Sequence, residues 1–517
     1  MKRQSLQPTA DHAHPRGKNP FLWPELALLL LQTGTRLHRL ALFPVFIDET
    51  LHIMRARDTL ALHPLAGVAH GKALIPWLLA LVQPLENAVW ASRAMVVLVS
   101  ALGLAALLGL GRRLLGRRAA LVAGLLYVAL PFTFFFERLA MSDGLAAAFG
   151  LLSGWLVAVS LGTGHRRLAL LAGLSLAVTI LTRLSMVVVL AFPLLGWLLL
   201  APDRRRALRL VALMYGVCAL ALAPVVALAW RVGLGIGYAE GKFASAALSS
   251  LFARLGTNVT QSIAWLRGYV GLPLLVLSAL GLAGAALRRD RKALYVAGLA
   301  LLPVAELWLV STLSYPRYYL PAVGPMLLLA GALAFWVVDW DRGVHRRGGL
   351  STAPVAGRLL GGAGLVALAL ILLPMLRFIH TAYTDPAALP LPAPDNSTYI
   401  RSENAGYGVV EASAWLAGYT QEGEGVTVLC ALRATCERLS DYLYGTPRLE
   451  FARTDVLTPA WLAGEAAAGR MVLIAEDDPP PATAYQPTDE YRLEVAGSFP
   501  RPGRESSFVL WQVFVRE

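Results

Sequence analysis

Long apolar segments with few charges recur through the first three quarters of the chain and restrict what it can fold into. A transmembrane helix needs about 20 consecutive, mostly apolar residues. Eleven segments of this kind can be delimited, at approximately 22–45, 88–111, 119–136, 144–162, 168–182, 185–201, 208–230, 269–287, 293–312, 318–338 and 357–378. A mean hydropathy of +0.57 is also too high for a soluble globular protein. We therefore expect a polytopic α-helical membrane protein with about eleven transmembrane helices.

The charge is divided unevenly between two parts of the chain. Residues 1–384 contain 36 Lys and Arg against 14 Asp and Glu, whereas residues 385–517 contain 10 Arg, no Lys and 19 Asp and Glu. The positive charge lies in short loops between apolar segments, where the positive-inside rule explains it. A nucleic-acid partner is therefore not expected, although the net charge is +13.

Basic clusters follow alternate apolar segments and give an orientation. They are "GRRLLGRR" (111–118), "GHRR" (164–167), "DRRRALR" (203–209), "RRDRK" (288–292) and "DRGVHRRGG" (341–349). Together with a polar, basic N-terminal stretch over 1–20, which we expect to be disordered, they predict six cytoplasmic segments. Eleven spans then place the C-terminal part outside the cytoplasm. The sequence predicts a multi-pass protein of the inner (plasma) membrane with a transmembrane domain over 21–384.

The part from 385 to 517 has a different pattern. "YGVVEASAWLAGY" is typical of an amphipathic helix, and "GVTVLCA", "RMVLIAE" and "SSFVLWQVFV" are typical of strands. Strands that alternate with helices predict a small α/β domain, extracytoplasmic by the orientation above. Cys430 and Cys436 can form a disulfide on that side, and their spacing does not fit a metal site.

Acidic side chains gather in connections that the orientation places outside. Asp48 and Glu49 follow the first segment, while Glu137 and Asp143 lie between the third and fourth. Carboxylates near an apolar boundary cost free energy unless they are solvated or paired, so their clustering at one membrane face favours a function. The alternatives are that Asp48–Glu49 and Asp143 cap the helices that follow them, and that Glu137 pairs with Arg138.

Cations lie in the same outer connections. Residues 50–87 are too amphipathic for a span and predict two helices in the membrane interface, with His70 and Lys72 close to the membrane surface. Arg183 and Arg317 are isolated cations on the side that the positive-inside rule disfavours. They can hold an anionic group such as the phosphate of a lipid carrier, and the alternative is that they extend toward the lipid headgroups.

The order of these features resembles the GT-C glycosyltransferases, in particular the superfamily of dolichyl-phosphate-mannose–protein mannosyltransferases and aminoarabinose lipid A transferases. The resemblance covers about residues 20–340, and the segment "NAGYGVVEASAWLAGY" is similar to the outer domain of bacterial members. It depends on the "DE" pair, "HGK", "ENAVWASRAMVVLVSALG", "ERLAMSDGL", "LTRLS" and "PRYYLPAVGPMLLLAG", in this order.

The resemblance implies a sugar donor carried on a polyprenyl phosphate and an acceptor that attacks at the outer face. Asp48 then matches the family's catalytic base, Glu49 its acidic neighbour, and Asp143 a second acid near the same cavity. Lys72, Arg183 and Arg317 match basic residues that meet the carrier phosphate, although the prolines usual before the lysine are missing in "VAHGK". A second tier of candidates consists of His70, Glu137, Arg138, Glu306 and Tyr318.

The residue types fit such a reaction. A lipid phosphate leaves readily when cations receive its charge, and the acceptor hydroxyl needs a base. Direct displacement inverts the anomeric configuration. No metal is required, although a divalent ion bridging carboxylate and phosphate is compatible with the scheme. The competing hypotheses are a lipid or sugar transporter (flippase), which predicts repeat symmetry and charges at the bilayer midplane, and a glycan-binding scaffold without catalysis. The acceptor is left open among lipid, glycan and protein.

Overall fold

The computed structural model describes residues 22–82, 86–234, 248–311, 314–346, 353–421, 425–430, 432–452, 457–477, 485, 489–503 and 507–516. The N-terminal segment 1–20, for which the sequence predicts disorder, lies outside these ranges.

The first two thirds of the described chain are helical. The helices are α1 (Trp23–Leu37), α2 (Ile47–Leu60), α3 (Leu74–Ala80), α4 (Ala88–Leu114), α5 (Arg117–Ala129), α6 (Pro131–Phe136), α7 (Ser142–Thr163), α8 (Arg166–Thr182), α9 (Ala191–Leu200), α10 (Arg204–Arg231), α11 (Leu248–Val270), α12 (Leu272–Leu287), α13 (Arg291–Val310), α14 (Leu320–Arg346) and α15 (Ala353–Thr384). Short 3₁₀ helices cover Val68–His70, Leu184–Leu190, Pro316–Tyr319 and Pro386–Ala388.

Each of the eleven predicted spans overlaps helical structure. Within the described ranges six helical stretches are long and apolar enough to cross a membrane, and a bent helix pair makes up to seven. The six are Ala88–Leu114, Ser142–Thr163, Arg204–Arg231, Arg291–Val310, Pro316–Trp336 and Val366–Thr384. The protein is therefore mostly helical with several candidate transmembrane helices, and the count of eleven stays a prediction.

The first predicted span, 22–45, is longer than the helix that forms there. Helix α1 ends at Leu37, where the guanidinium of Arg138 donates hydrogen bonds to four carbonyls that have no partner within the helix. The donor–acceptor distances are 2.8–3.0 Å. The apolar residues that follow α1 lead the chain in a non-helical path to α2.

The predicted outer loop 231–268 is largely helical where it is described. Helix α11 occupies its second half and meets α12 at an angle of 114°. Gly271 (φ +82°) and Pro273 make the break, because only glycine adopts this φ without strain and proline begins a new helix. The amide of Asn258 donates to carbonyls at the end of α13, at 3.1–3.4 Å. Its polar side chain therefore caps a neighbouring helix.

An aromatic cluster organises the connection between α5 and α7. Helix α6 has the sequence "PFTFFF", and its four phenylalanines are buried. The ring of Phe132 stacks on Tyr269 at 4.5 Å, while Phe135 and Phe136 contact Tyr399 at 5.3 and 5.9 Å. Buried aromatic pairs of this kind add about 0.5–1.5 kcal/mol each. The cluster thereby joins the segment beyond α15 to the helical domain.

The start of α2 is fixed by a buried ion pair. Arg93 of α4 donates two hydrogen bonds to Glu49, at 2.7 and 2.8 Å, and both side chains are fully buried. Glu49 also accepts from the backbone N–H groups of Phe46 and Ala140, while Arg93 donates to the carbonyls of residues 40, 43 and 44. These bonds join four separate segments around two charges, so Arg93 ties helices together.

The C-terminal part forms the expected α/β domain. Two short segments, α16 (Ala393–Asn396) and the one-turn helix Ser397–Arg401, precede α17 (Val409–Gln421). The remaining elements are β1 (Gly425–Cys430), α18 (Arg433–Leu443), β2 (Leu449–Ala452), α19 (Pro459–Ala467), β3 (Arg470–Glu476), β4 (Tyr491–Pro500) and β5 (Ser507–Val515). The strand order is β2-β1-β3-β5-β4, with β1 parallel to β2 and β3, and β5 antiparallel to β3 and β4. Cys430 and Cys436 form a disulfide between β1 and α18.

The C-terminal domain packs directly on α2. Arg57 forms ion pairs of 2.8 Å with Glu437 and Asp441 of α18. The backbone N–H of Val45 donates to the hydroxyl of Tyr442 at 2.7 Å. Helix α2 is therefore held at its start by the helical domain and at its end by the α/β domain.

The Glu49–Arg93 pair generates a stability prediction. Arg93→Met leaves the Glu49 carboxylate buried without a cation, which should lower the free energy of unfolding by about 3–5 kcal/mol. The double variant Glu49→Leu with Arg93→Met should lose less than Arg93→Met alone. Thermal and denaturant unfolding of detergent-solubilised protein measures both effects.

A matched control is Arg117→Met, because Arg117 pairs bidentately with Glu25 but is 34% exposed. Its loss should be much smaller than that of Arg93→Met, because water screens an exposed ion pair. Equal losses for Arg93→Met and Arg117→Met would contradict the structural role of the buried pair.

Candidate active site

Four of the predicted site residues come together from four separate connections. Asp48 lies in the first turn of α2, Asp143 in the first turn of α7, Arg183 just after α8, and Arg317 in the 3₁₀ helix before α14. Arg317 is 3.1 Å from Asp48 Oδ2 and 3.7 Å from Asp143 Oδ2. Arg183 pairs with Asp143 Oδ1. All four connections belong to the face that the charge pattern predicts to be the outer one.

The two acids of this cluster do not cap their helices. The N-cap residue of α7 is Met141, and the buried carboxylate of Asp143 binds arginines instead. At α2 it is Glu49 that accepts the N–H of Phe46, so the capping role falls to Glu49. Asp48 keeps a side chain that is 27% exposed. Among the clustered acids, Asp48 is therefore the one that solvent or a substrate can reach.

Glu49 lies behind the site. Its oxygens accept four hydrogen bonds, from Arg93, Phe46 and Ala140, and the residue is fully buried. A carboxylate that is occupied by these donors is not placed to take a proton from the hydroxyl group of an acceptor substrate. The sequence places Glu49 beside Asp48, but the helix turns the two side chains in different directions.

The predicted pairing of Glu137 with Arg138 is wrong. Glu137 is buried and accepts hydrogen bonds from Arg36, Gln32 and Tyr127, at 3.0, 2.9 and 2.7 Å. Arg138 instead binds the carbonyls at the end of α1. Both residues connect α1 to the segment before α7, because each finds a better-placed partner across the fold than its neighbour in sequence.

Lys72 belongs to the same cluster of charges. Its backbone N–H donates to Gly67, and Gly71 (φ +66°) turns the chain so that its carbonyl accepts from the N–H of Leu184 at 2.8 Å. The Lys72 loop therefore lies against the Arg183 turn. Burial lowers the pKa of Lys72 to about 8, although Asp48 and Asp143 oppose this shift. His70, at the end of the preceding 3₁₀ turn, is exposed.

A small cleft opens beside these charges. Asp143, Arg183, Glu306, Arg317 and Tyr318 contribute to its lining. The ring of Tyr318 lies 3.6 Å from the guanidinium carbon of Arg183 and 5.7 Å from that of Arg317. Glu306 therefore faces the cleft as predicted, and Tyr318 orders both arginines through cation–π contacts.

Two residues of this region were not predicted from the sequence. Tyr399 accepts a hydrogen bond of 2.8 Å from Arg317. Asp395 accepts one of 2.5 Å from Tyr269, and burial raises the pKa of Asp395 to about 6. Both follow α15 in a short segment without a recognisable motif, so only the fold shows that this segment returns to the site.

The described residues contain no group of three or more His, Cys, Asp or Glu side chains that could hold a metal ion. Within the cluster Asp48 contacts one arginine and Asp143 two. That the reaction requires no metal stays a prediction.

Comparisons with known proteins bear on this arrangement. Residues 70–230 match the family model described as dolichyl-phosphate-mannose-protein mannosyltransferase. The matched region includes Lys72, Asp143 and Arg183, whereas Asp48 and Arg317 lie outside it. No curated protein matches the sequence.

Solved structures share the fold. ArnT from Cupriavidus metallidurans is similar in its form bound to undecaprenyl phosphate (TM-score 0.54, 16% identity) and in its apo state (0.56, 15%). Each alignment covers 95% of this chain and 97% of ArnT. The apo oligosaccharyltransferase from Archaeoglobus fulgidus has a TM-score of 0.53 at 12% identity, with 89% of this chain and 70% of that one covered.

These identities are low, so each structural likeness concerns the fold. The fold extends over nearly the whole chain, and the family model covers the helices that carry Asp143 and Arg183. Together they support the resemblance predicted from the sequence: the chain has the fold of ArnT and of the archaeal oligosaccharyltransferase, and residues 70–230 match the dolichyl-phosphate-mannose-protein mannosyltransferase family model.

Proposed function

We propose that the protein transfers a sugar from a polyprenyl-phosphate donor to an acceptor at the non-cytoplasmic face of the inner membrane, with inversion at the anomeric carbon. The observation that carries this proposal is the meeting of Asp48 and Asp143 with Arg183, Arg317 and Lys72 in one place. The ArnT structure with bound undecaprenyl phosphate supports the donor class.

Asp48 is the catalytic base in this proposal. The acceptor oxygen attacks the anomeric carbon from the side opposite the phosphate, and its proton passes to the Asp48 carboxylate. The bond between the anomeric carbon and the phosphate oxygen breaks, and its electron pair stays on the phosphate. Asp48 suits this role because it is partly exposed and contacts the protein through a single arginine among the described residues.

Lys72, Arg183 and Arg317 supply the positive charge that receives the leaving phosphate. The departing group changes from a phosphodiester to a phosphomonoester and gains negative charge, so cations fixed beside it stabilise the transition state more than the bound donor. Asp143 is a positioning residue, because its buried carboxylate holds both arginines. Three cations make this chemistry possible without a metal, and a divalent ion between Asp48 and the phosphate is the alternative.

The acceptor is a lipid, a glycan or a protein whose hydroxyl reaches Asp48. The donor chain lies in the membrane, which agrees with the apolar helices that surround the cluster. Glu49 supports the reaction only by fixing the start of α2.

The base assignment predicts the behaviour of two matched variants. Asp48→Asn should lower the rate of sugar transfer by about 10²–10⁴-fold, because the amide cannot accept the proton. Asp58→Asn is the control, since Asp58 lies on the same helix but pairs with Arg433 of the α/β domain. Transfer or hydrolysis of a labelled undecaprenyl-phosphate sugar in nanodiscs measures both rates. An Asp48→Asn enzyme as active as wild type would remove Asp48 as the base.

The pKa of Lys72 predicts a pH dependence. Lys72 carries its charge below pH 8 and loses it above, so carrier phosphate should bind more weakly as the pH rises through about 8. The charges that act on Lys72 are those of Asp48, Asp143, Arg183 and Arg317.

Lys72→Arg should move this decrease out of the accessible pH range, because arginine stays protonated. Binding of undecaprenyl phosphate between pH 6.5 and 9.5 provides the measurement. A decrease that is unchanged in Lys72→Arg would contradict the assignment.

The orientation is tested with reporter fusions to the full-length chain. Alkaline phosphatase at the C-terminus should be active, because it folds into its active form outside the cytoplasm. Green fluorescent protein at the same position should be dark, because it becomes fluorescent in the cytoplasm. The reverse pattern would place the α/β domain, and the site that it contacts, in the cytoplasm.

A further inference from the structure

We propose that Arg55 and His52 of α2 complete the phosphate subsite, where they bind the carrier phosphate together with Lys72. This inference rests on the proposed function and adds two residues that neither the sequence patterns nor the comparisons assign. Three observations carry it: the placement of the side chains on one face of α2, two buried nitrogens of His52 without partners in the described part of the chain, and an arginine, Arg55, that forms no hydrogen bond or ion pair with a described residue.

The first observation is the periodicity of α2. Asp48, His52 and Arg55 are separated by four and three residues, which places them on one face of a helix in successive turns. Because Asp48 contacts Arg317 in the active site, this face points toward the same cluster. Ile53 lies on another side of α2 and is buried in an apolar cluster with α3 and α4.

The second observation concerns the ring of His52. The residue is 1% exposed, and neither Nδ1 nor Nε2 has a hydrogen-bond partner in the described part of the chain. Leaving a buried polar group unsatisfied costs about 1–3 kcal/mol, so such groups are rare in folded proteins. Burial, Lys72 and Arg55 hold the pKa of His52 well below its usual range. The ring is therefore neutral and has one N–H to donate.

The third observation is that Arg55 differs from the other buried arginines of the domain. Arg36, Arg93 and Arg138 each bind a carboxylate or several carbonyls. Arg55 is 8% exposed, yet its guanidinium forms no hydrogen bond or ion pair with any described residue. Asp48 and Asp58 act on it only at longer range. Its nitrogens are not among the buried side-chain atoms that lack a partner, so an anion in the site can reach them.

Lys72 brings the third donor to the same place. Its charge acts on His52 more strongly than any other, and Arg55, Arg317 and His70 follow. The loop that carries it is tightly built, since a Cβ at Gly67 would lie 2.5 Å from the carbonyl oxygen of Lys72. Lys72 itself forms no ion pair with a described residue.

A phosphate is the anion that this set of donors fits. Arg183 and Arg317 are already engaged by Asp143 and Asp48, whereas Arg55, Lys72 and His52 have donors to offer. A guanidinium, an ammonium and a neutral N–H can together bind three oxygens of one phosphate. When the bond between the anomeric carbon and the phosphate oxygen breaks, the electron pair and the additional charge stay on this phosphate. The subsite therefore binds the leaving phosphate more strongly than the phosphate of the intact donor.

Binding of undecaprenyl phosphate to the full-length protein in nanodiscs tests the inference. Arg55→Gln should weaken binding by about tenfold or more, and His52→Phe by about 3- to 10-fold, because a charged hydrogen bond contributes more than a neutral one. Undecaprenol, which lacks the phosphate, should bind wild type and both variants equally. Inorganic phosphate should compete only weakly, since it lacks the prenyl chain.

Arg433→Gln is the matched control, because it removes an exposed arginine of the α/β domain that pairs with Asp58 and Glu437. It should bind the carrier as wild type does. Thermal unfolding identifies any variant that fails to fold, and Arg55→Lys should then recover part of the affinity that Arg55→Gln loses. Wild-type affinity in folded Arg55→Gln and His52→Phe would overturn the inference, as would binding of free phosphate as tight as that of the lipid.

The transfer assay distinguishes failure of the proposed function from failure of this inference. If no lipid-linked sugar is transferred or hydrolysed by wild type, the glycosyltransferase mechanism is wrong, although binding of the carrier can still depend on Arg55. If transfer proceeds but Arg55→Gln and His52→Phe bind the carrier with wild-type affinity, only the proposed subsite is wrong.

Discussion

The ion pair between Glu49 and Arg93 is the constraint on which the site depends. Two fully buried charges bind each other and several backbone groups from segments far apart in sequence, at distances of 2.7–3.1 Å. A buried charge without a partner is costly, so this arrangement tolerates little displacement. It sets the direction in which α2 leaves the helical domain, and thereby the position of Asp48 one residue earlier. Glu49, the residue next to the proposed base, therefore supports the site by fixing the position of α2.

The site itself is balanced between the two signs of charge. Asp143 holds Arg183 and Arg317, and Arg317 in turn contacts Asp48 and Tyr399. Such a network keeps cations in an apolar surrounding without a ligand, because each finds a counter-charge or an aromatic face. The donors that remain are on α2 and on the Lys72 loop. In the proposed mechanism Arg183 and Arg317 keep the geometry and add positive charge near the leaving phosphate, while the donors of α2 and of the Lys72 loop bind its oxygens.

The α/β domain contributes to the site by contact as well as by connection. The segment between α15 and α17 supplies Tyr399, which is enclosed by the aromatic rings of α6. On the other side α18 holds Arg57 through Glu437 and Asp441. The helix that carries the proposed base therefore lies between two domains.

The amino-acid sequence by itself determined the series of apolar helices, the α/β nature of the tail and the residue types of the site, because hydropathy and charge are properties of local segments. Only the tertiary structure separated Asp48 from Glu49, since a helix turns neighbouring side chains apart. It also replaced the Glu137–Arg138 pair by long-range partners, brought Tyr399 to Arg317, and left the ring of His52 without a partner among the residues that the structure describes. These outcomes depend on which distant groups meet in space, and no local pattern encodes them.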